Sequence, residues 1–482
     1  MDILTLQRGA AAPTTPAPDL ARTPAPAQWV RARTAAPGTT EHPRQVDRIA
    51  GVRLVDGRVV DLDIVGDTVE AVHAPSGAGD VGDVGGGAAS VTGAAAAPGP
   101  AVIDGRGFLA LTAPAEPHAH LDKALSWSAT RPPGCDLGEA IEAWRAHAAT
   151  VDGDEIYARA LLAARRLVAN GTTAARSHVD LHSDGDPLRG VRALVRVRDE
   201  LAEVLDLQIA VMVREEDTGA RVRAAIAAGA DLIGGAPHLA TDTAAETHRL
   251  VDLAEELGTG IDLHVDEFLD GDHAMLGPFT DRVAEWEPGR IRTAGHCCRI
   301  GSLDAAGQAG AALALSGAGV GVVTLPITNL YLQGRAACTS TPRGLPPIRT
   351  LLDGDVTVAA GADNVRDPFN PVGRSDATET AMLLVVAAHL DMDTAWHLVT
   401  DGAREVMGLP PAGPEVGRRA DLLLVRAGGI DDVIADAPAD RIVLRAGRVV
   451  SARAALVVDP FTPSSAAPTP ATTTPATSEE TP

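Results

Sequence analysis

The sequence predicts an α/β protein: a (β/α)8 TIM barrel with a small composite β-sandwich domain built from both chain ends. Three observations predict it. Apolar, β-rich runs alternate with helix-like spans through the middle of the chain. Eight such runs end near His118, Asp180, Arg214, Pro237, His264, His296, Leu325 and Asp363. Short strands with turns flank the alternation on both sides, at 46–113 and 408–456.

The elements follow in order. Residues 1–45 are rich in Pro, Ala, Thr and Arg without periodicity, and read as a disordered extension. From 46, Arg48–Val55 and Arg58–Val60 are strand-like and flank Asp56-Gly57, a hairpin signal. A Gly/Ala-rich stretch at 76–99 reads as a mobile loop. The barrel is expected over 114–407. Its strands include Gln208–Val213, Gly260–His264 and Val356–Ala360; its helices include Glu155–Ala169, Thr243–Leu257 and Ser302–Leu315. Ala420–Val425 and Arg441–Val450 return to short strands, and 457–482 is a low-complexity Pro/Thr/Ala/Ser tail, expected to be disordered.

Composition narrows the function. The 482 residues are 45% hydrophobic but only 2% aromatic, so the core must come mainly from Ala, Val and Leu. A net charge of −23 with no basic patch argues against a nucleic-acid surface. No run approaches the ~18 apolar residues of a membrane span, and the N-terminus has no apolar leader. Four cysteines (Cys135, Cys297, Cys298, Cys338) form no Cys-x-x-Cys pair, so a reducing, cytoplasmic compartment is expected. Lys123 is the sole lysine of the chain.

The chemistry starts at Pro117-His118-Ala119-His120-Leu121-Asp122-Lys123. Strand residues two apart face the same way, so His118 and His120 present two imidazoles to one point. His264, His296 and Asp363 fall at later strand ends, on the rim where barrel active sites sit. Imidazoles plus a carboxylate with an open position suit a catalytic divalent ion, Zn²⁺ or Fe²⁺. Glu267 follows His264 by three residues and is placed to move a proton between water and a substrate nitrogen.

Six spaced motifs carry a resemblance. They are the 117–123 stretch, Ser177-His178-Val179-Asp180, Gly235-Ala236-Pro237-His238, His264-Val265-Asp266-Glu267, Leu330–Arg335 and Gly361–Phe369. Across roughly 46–456 the chain resembles the cytosine deaminase-like branch of the amidohydrolase superfamily. It is similar also to the N-isopropylammelide aminohydrolases, to which Lys123 in the first motif points. The resemblance implies one divalent ion held by His118, His120, His264 and Asp363. It implies that Glu267 shuttles protons to a ring nitrogen. His296 would orient the hydroxide and stabilise the tetrahedral intermediate, and Asp363 would take a proton from the attacking water. The implied partner is a small N-heterocycle, and a homo-oligomer is compatible. Binuclear relatives bridge two metals through a mid-barrel lysine, which this chain lacks.

Three positions depart from cytosine deaminases. Arg214 stands where they carry a glutamine, and a guanidinium only donates, which favours a ring more acidic or richer in carbonyls than cytosine. Asn364 stands where they carry an aspartate, and Phe369 where a tryptophan lines the pocket. With Lys123, these are the expected substrate contacts. The expected reaction is hydrolysis of a C–N bond in a cyclic amidine, deaminating a cytosine-like ring. The alternative is removal of an amine or alkylamine from an oxo-s-triazine, and a third reading is a catalytically silent metal-binding barrel.

Overall fold

The computed structural model describes residues 43–75, 101–132, 134, 136–271 and 273–454. The expected tail, the 76–99 loop, nearly all of the expected extension and Cys135 lie outside the described residues. Six strands precede the barrel: β1 (Arg44–Gln45), β2 (Arg48–Arg53), β3 (Val59–Val65), β4 (Thr68–His73), β5 (Val102–Asp104) and β6 (Leu109–Thr112). The barrel strands are β7 (Ala115–Ala119), β8 (Ala174–Asp180), β9 (Asp206–Val213), β10 (Leu232–Gly235), β11 (Gly260–Val265), β12 (Arg292–His296), β13 (Gly321–Thr324) and β14 (Val358–Ala360). The chain then closes the outer sheet with β15 (Leu422–Val425), β16 (Arg441–Arg445) and β17 (Arg448–Arg453).

Each barrel strand pairs in parallel with the next, in sequence order. The ring closes where β7 meets the residues after β14. There Asp363 donates its N–H to the His118 carbonyl at 3.0 Å, and His120 donates to the Asp363 carbonyl at 3.3 Å. The carboxyl of Glu116 reinforces this short seam, accepting from the N–H of Ala362 at 3.0 Å and of His118 at 3.2 Å. Gly361 permits it, because a Cβ there would stand 2.3 Å from Glu116 Oε1. Burial pushes the Glu116 carboxyl up to about 8.

The flanking strands form one sheet in the order β1-β17-β16-β15-β6-β2-β3-β4, with β5 on β2. Residues from both chain ends, including Ile49, Leu62, Leu422 and Leu444, share one apolar core. The Asp56-Gly57 hairpin forms between β2 and β3. The expected extension ran too far: Arg44 and Gln45 pair with Val449 and Arg448. Two residues are too short to carry a periodic signal, and β17 supplies the template.

The barrel helices follow their caps. Gly153–Ala169 begins where the Asp152 side chain accepts from the N–H groups of Asp154 and Glu155. It buries Ile156, Ala160, Ala163, Ala164 and Leu167 at helical spacing. Thr243–Leu257 is capped by Asp242 and ends at left-handed Gly258 (φ 65°). The helix expected from Ser302 begins instead at Ala305, because Asp304 caps it and Cys298–Ser302 forms a 3-10 turn. Among the described residues no helix is long and apolar enough to cross a membrane.

Candidate active site

Strand alternation places the polar layers. Arg176 and His178 lie two apart on β8, and Asp262 and His264 two apart on β11, so each pair shares a face. Arg176 and Asp262 form a fully buried ion pair at 2.6 Å. Arg176 also donates to Gln208 Oε1 at 3.0 Å, Thr293 Oγ1 at 3.2 Å and the Val406 carbonyl at 3.2 Å. His178 packs on His118 at 4.1 Å between ring centroids and within 4.8 Å of His264.

The rim histidines converge. His264 Nε2 lies 3.2 Å from both His118 Nε2 and His120 Nε2. Asp363 Oδ1 lies 3.3 Å from His120 Nε2 and 3.8 Å from His118 Nε2. Both Asp363 oxygens are buried without a hydrogen-bond donor. Nitrogens held about 2.0–2.1 Å from one tetrahedral zinc stand roughly 3.3 Å apart, so the spacing fits a shared divalent ion. Electrostatics agree. Burial, together with the surrounding cations and imidazoles, holds His118, His120 and His264 well below the ordinary histidine range. They are therefore neutral, the form that ligates. Burial first, then the carboxyls of Glu267, Asp367 and Glu116, pushes Asp363 well above the carboxylate range. A cation in the cluster would relieve that penalty. Asp363 (φ 61°) and His296 (φ 66°) both hold left-handed backbone, a strain typical of functional positions.

Glu267 follows β11 and is buried, with Oε1 3.4 Å from His296 Nδ1. Burial alone pushes its carboxyl up to about 8. His296 Nε2 lies 3.9 Å from Asp363 Oδ2. His238 donates from Nδ1 to the His264 carbonyl at 3.1 Å. Cys297 and Cys298 are buried and free, with their thiols pushed up by burial.

One cavity of about 190 Å³ opens on this centre, lined by His120, His264, Glu267, His296 and Asp363. The four expected substrate contacts, Lys123, Arg214, Asn364 and Phe369, line it too. Their side chains are engaged to different degrees. Lys123 binds Asp180 at 2.9 Å and stands 3.2 Å from His120 Nδ1. Burial works against its charge, but Asp122 and Asp180 outweigh it and hold the amine above its ordinary value. Arg214 pairs with Glu216 at 3.2 Å and Asp217 at 3.5 Å, and donates to the Leu181 carbonyl at 2.8 Å. Its charge is thus largely balanced within the wall. Asn364 donates to Asp367 at 2.8 Å.

Sequence reasoning missed the far wall. Leu137, Ile141, Trp144 and Arg145 project from one face of the helix Leu137–Ala148. Trp144 donates to Asp180 at 2.6 Å, tying this helix to Lys123. The i, i+4, i+7, i+8 spacing was a signal, but the same spacing marks any helix packed on a core.

Fold and site together define a barrel hydrolase with a candidate metal centre. The amidohydrolase family profile matches residues 152–451, and the chain belongs to that family, in its cytosine deaminase-like branch. A pterin deaminase of Rhizobium rhizogenes is 30% identical over 347 residues, 70% of this chain and 79% of its own. The crystal structure of the 5-methylcytosine deaminase of Klebsiella pneumoniae with 5-fluorocytosine superimposes with a TM-score of 0.73. It is 26% identical and covers 86% of this chain and 99% of that one. The N-isopropylammelide isopropylaminohydrolase of Burkholderia multivorans superimposes at 0.70, with 29% identity over 85% of this chain and 99% of its own.

Proposed function

We propose that this chain hydrolyses the exocyclic C–N bond of an amino-substituted N-heterocycle, at an amidine carbon beside a ring carbonyl. The observation that carries the reading is the convergence of His118, His120, His264 and Asp363 on one point beside Glu267. These four residues would hold one divalent ion, Zn²⁺ or Fe²⁺. Such an ion supplies Lewis acidity that makes water a nucleophile near neutral pH. Glu267, raised to about 8, carries a proton at neutral pH, gives it to the ring nitrogen as the adjacent carbon is attacked, and takes back the hydroxyl proton as the new carbonyl forms. Asp363 accepts a proton from the attacking water and returns it to the departing amine. His296 donates a hydrogen bond to the oxygen that becomes the new carbonyl. Water and the amino-ring are consumed; the oxo-ring and ammonia are formed.

A fused, pterin-like ring is the lead substrate. Two observations support it: the 30% identity to a pterin deaminase, and a cavity that extends past the centre to Trp144 and Ile141. The balanced charge of Arg214 removes the sequence argument for a strongly acidic ring. A cytosine-type or oxo-triazine ring is the second reading, supported by the 5-methylcytosine and N-isopropylammelide relatives. Ammonia release by zinc- and iron-loaded protein, measured with pterin, cytosine and aminotriazines, tests both. Fastest turnover of pterin supports the lead; turnover of single rings only selects the second; turnover of none refutes the function.

A further inference from the structure

We propose that Asn329 is a positioning residue that fixes the tautomer of His296, and that Gln333 holds Glu267 in register with it. The inference rests on the proposed roles of His296 and Glu267. The helix Pro326–Leu332 begins directly after β13, and Gln333 is its C-cap. Residues four apart on a helix share a face, so one short element addresses both groups.

Asn329 is fully buried, and its Nδ2 lies 2.9 Å from His296 Nδ1. An amide nitrogen only donates, so Nδ1 accepts. The neutral ring then keeps its proton on Nε2. That atom is buried, has no hydrogen-bond partner and lies 3.9 Å from Asp363 Oδ2. The N–H is thus presented to the centre, where the new oxygen would form. The opposing influence is Glu267 Oε1, 3.4 Å from the same Nδ1. An ionised Glu267 would draw the ring proton to Nδ1 and leave Nε2 bare. Asn329 occupies Nδ1 with a donor and prevents this. One turn on, Gln333 donates to the Glu267 carbonyl at 3.2 Å, fixing where that carboxyl starts. Thr328, beside Asn329, donates to the Ala362 carbonyl at 3.3 Å, so the helix also meets the strand end that carries Asp363.

The test compares Asn329→Ala with Asn329→Asp in zinc-loaded protein, with turnover counted per bound metal. Asn329→Ala should lower kcat by about 10 to 100 fold, with KM little changed. Asn329→Asp should be slower still, because an acceptor pulls the proton onto Nδ1. Asp at or above Ala, or a loss fully accounted for by lost metal, overturns the proposal. Nitrogen NMR of histidine-labelled, zinc-loaded native protein reads the tautomer without any substrate. A proton on His296 Nε2 supports the brace and one on Nδ1 overturns it, even where the substrate reading has failed.

Discussion

Glu267 should make the metal-free protein lose stability as pH rises. Its carboxyl is raised from 4.5 to about 8 by burial alone. Between those values the unfolded chain has released this proton and the native chain has kept it. The unfolded state therefore binds fewer protons, and stability falls with rising pH. Each pH unit in that window costs about 1.4 kcal/mol. From pH 5 to pH 8 the penalty comes to roughly 3–4 kcal/mol, a large share of a domain's stability. Glu267→Gln removes the titrating group and keeps its shape. Glu116, also raised to about 8, titrates in both proteins and cancels in the difference, which reports Glu267 together with its push on Asp363. Chelator-stripped wild type and variant are unfolded in urea at several pH values. Near-equal stability at pH 5 and a variant more stable by a few kcal/mol at pH 8 is expected. Parallel curves would refute the reasoning and mean that Glu267 is solvated or paired.

Further expectations concern the groups around the centre. Arg176→Met strands the carboxylate of Asp262 in the barrel interior and should cost about 3–5 kcal/mol in equilibrium unfolding; a loss under 1 kcal/mol contradicts the ion pair. Lys123, 4% exposed, should resist amine acetylation in the native protein and react after unfolding, as read by peptide mass spectrometry. Equal labelling in both states would show that the Asp180 and Asp122 contacts do not hold it. Trp144→Phe, which frees Asp180 from its indole partner, should raise KM more than it lowers kcat; unchanged KM would remove that helix from the substrate wall.

Much of the barrel was legible because most strands are short apolar runs, several of them with a polar residue at or next to the end. Eight strand ends predicted from pattern fall at or within a few residues of β7–β14. The histidines were legible through spacing: His118 and His120 two apart, then His264 and His296 at later strand ends. Glu116 was visible as a charge inside an apolar strand, but its role depends on the seam with Ala362, some 246 residues away. Asn329 stood one residue before a quoted motif, yet nothing local distinguishes it from a helix-start asparagine. Arg214 shows the converse. Its residue type suggested an anion-binding contact, while Glu216 and Asp217, two and three residues on, take up its charge in the folded protein. Sequence shows which groups are near in the chain; which of them spend their charge on each other is decided by packing.

Metal titration of stripped protein, followed by ammonia release from a pterin ring, tests the central claim most directly. One equivalent of zinc or iron per chain should bind and restore turnover in proportion. Glu267→Gln should bind the same equivalent and release no ammonia. Turnover without metal, or full turnover in Glu267→Gln, would contradict the account.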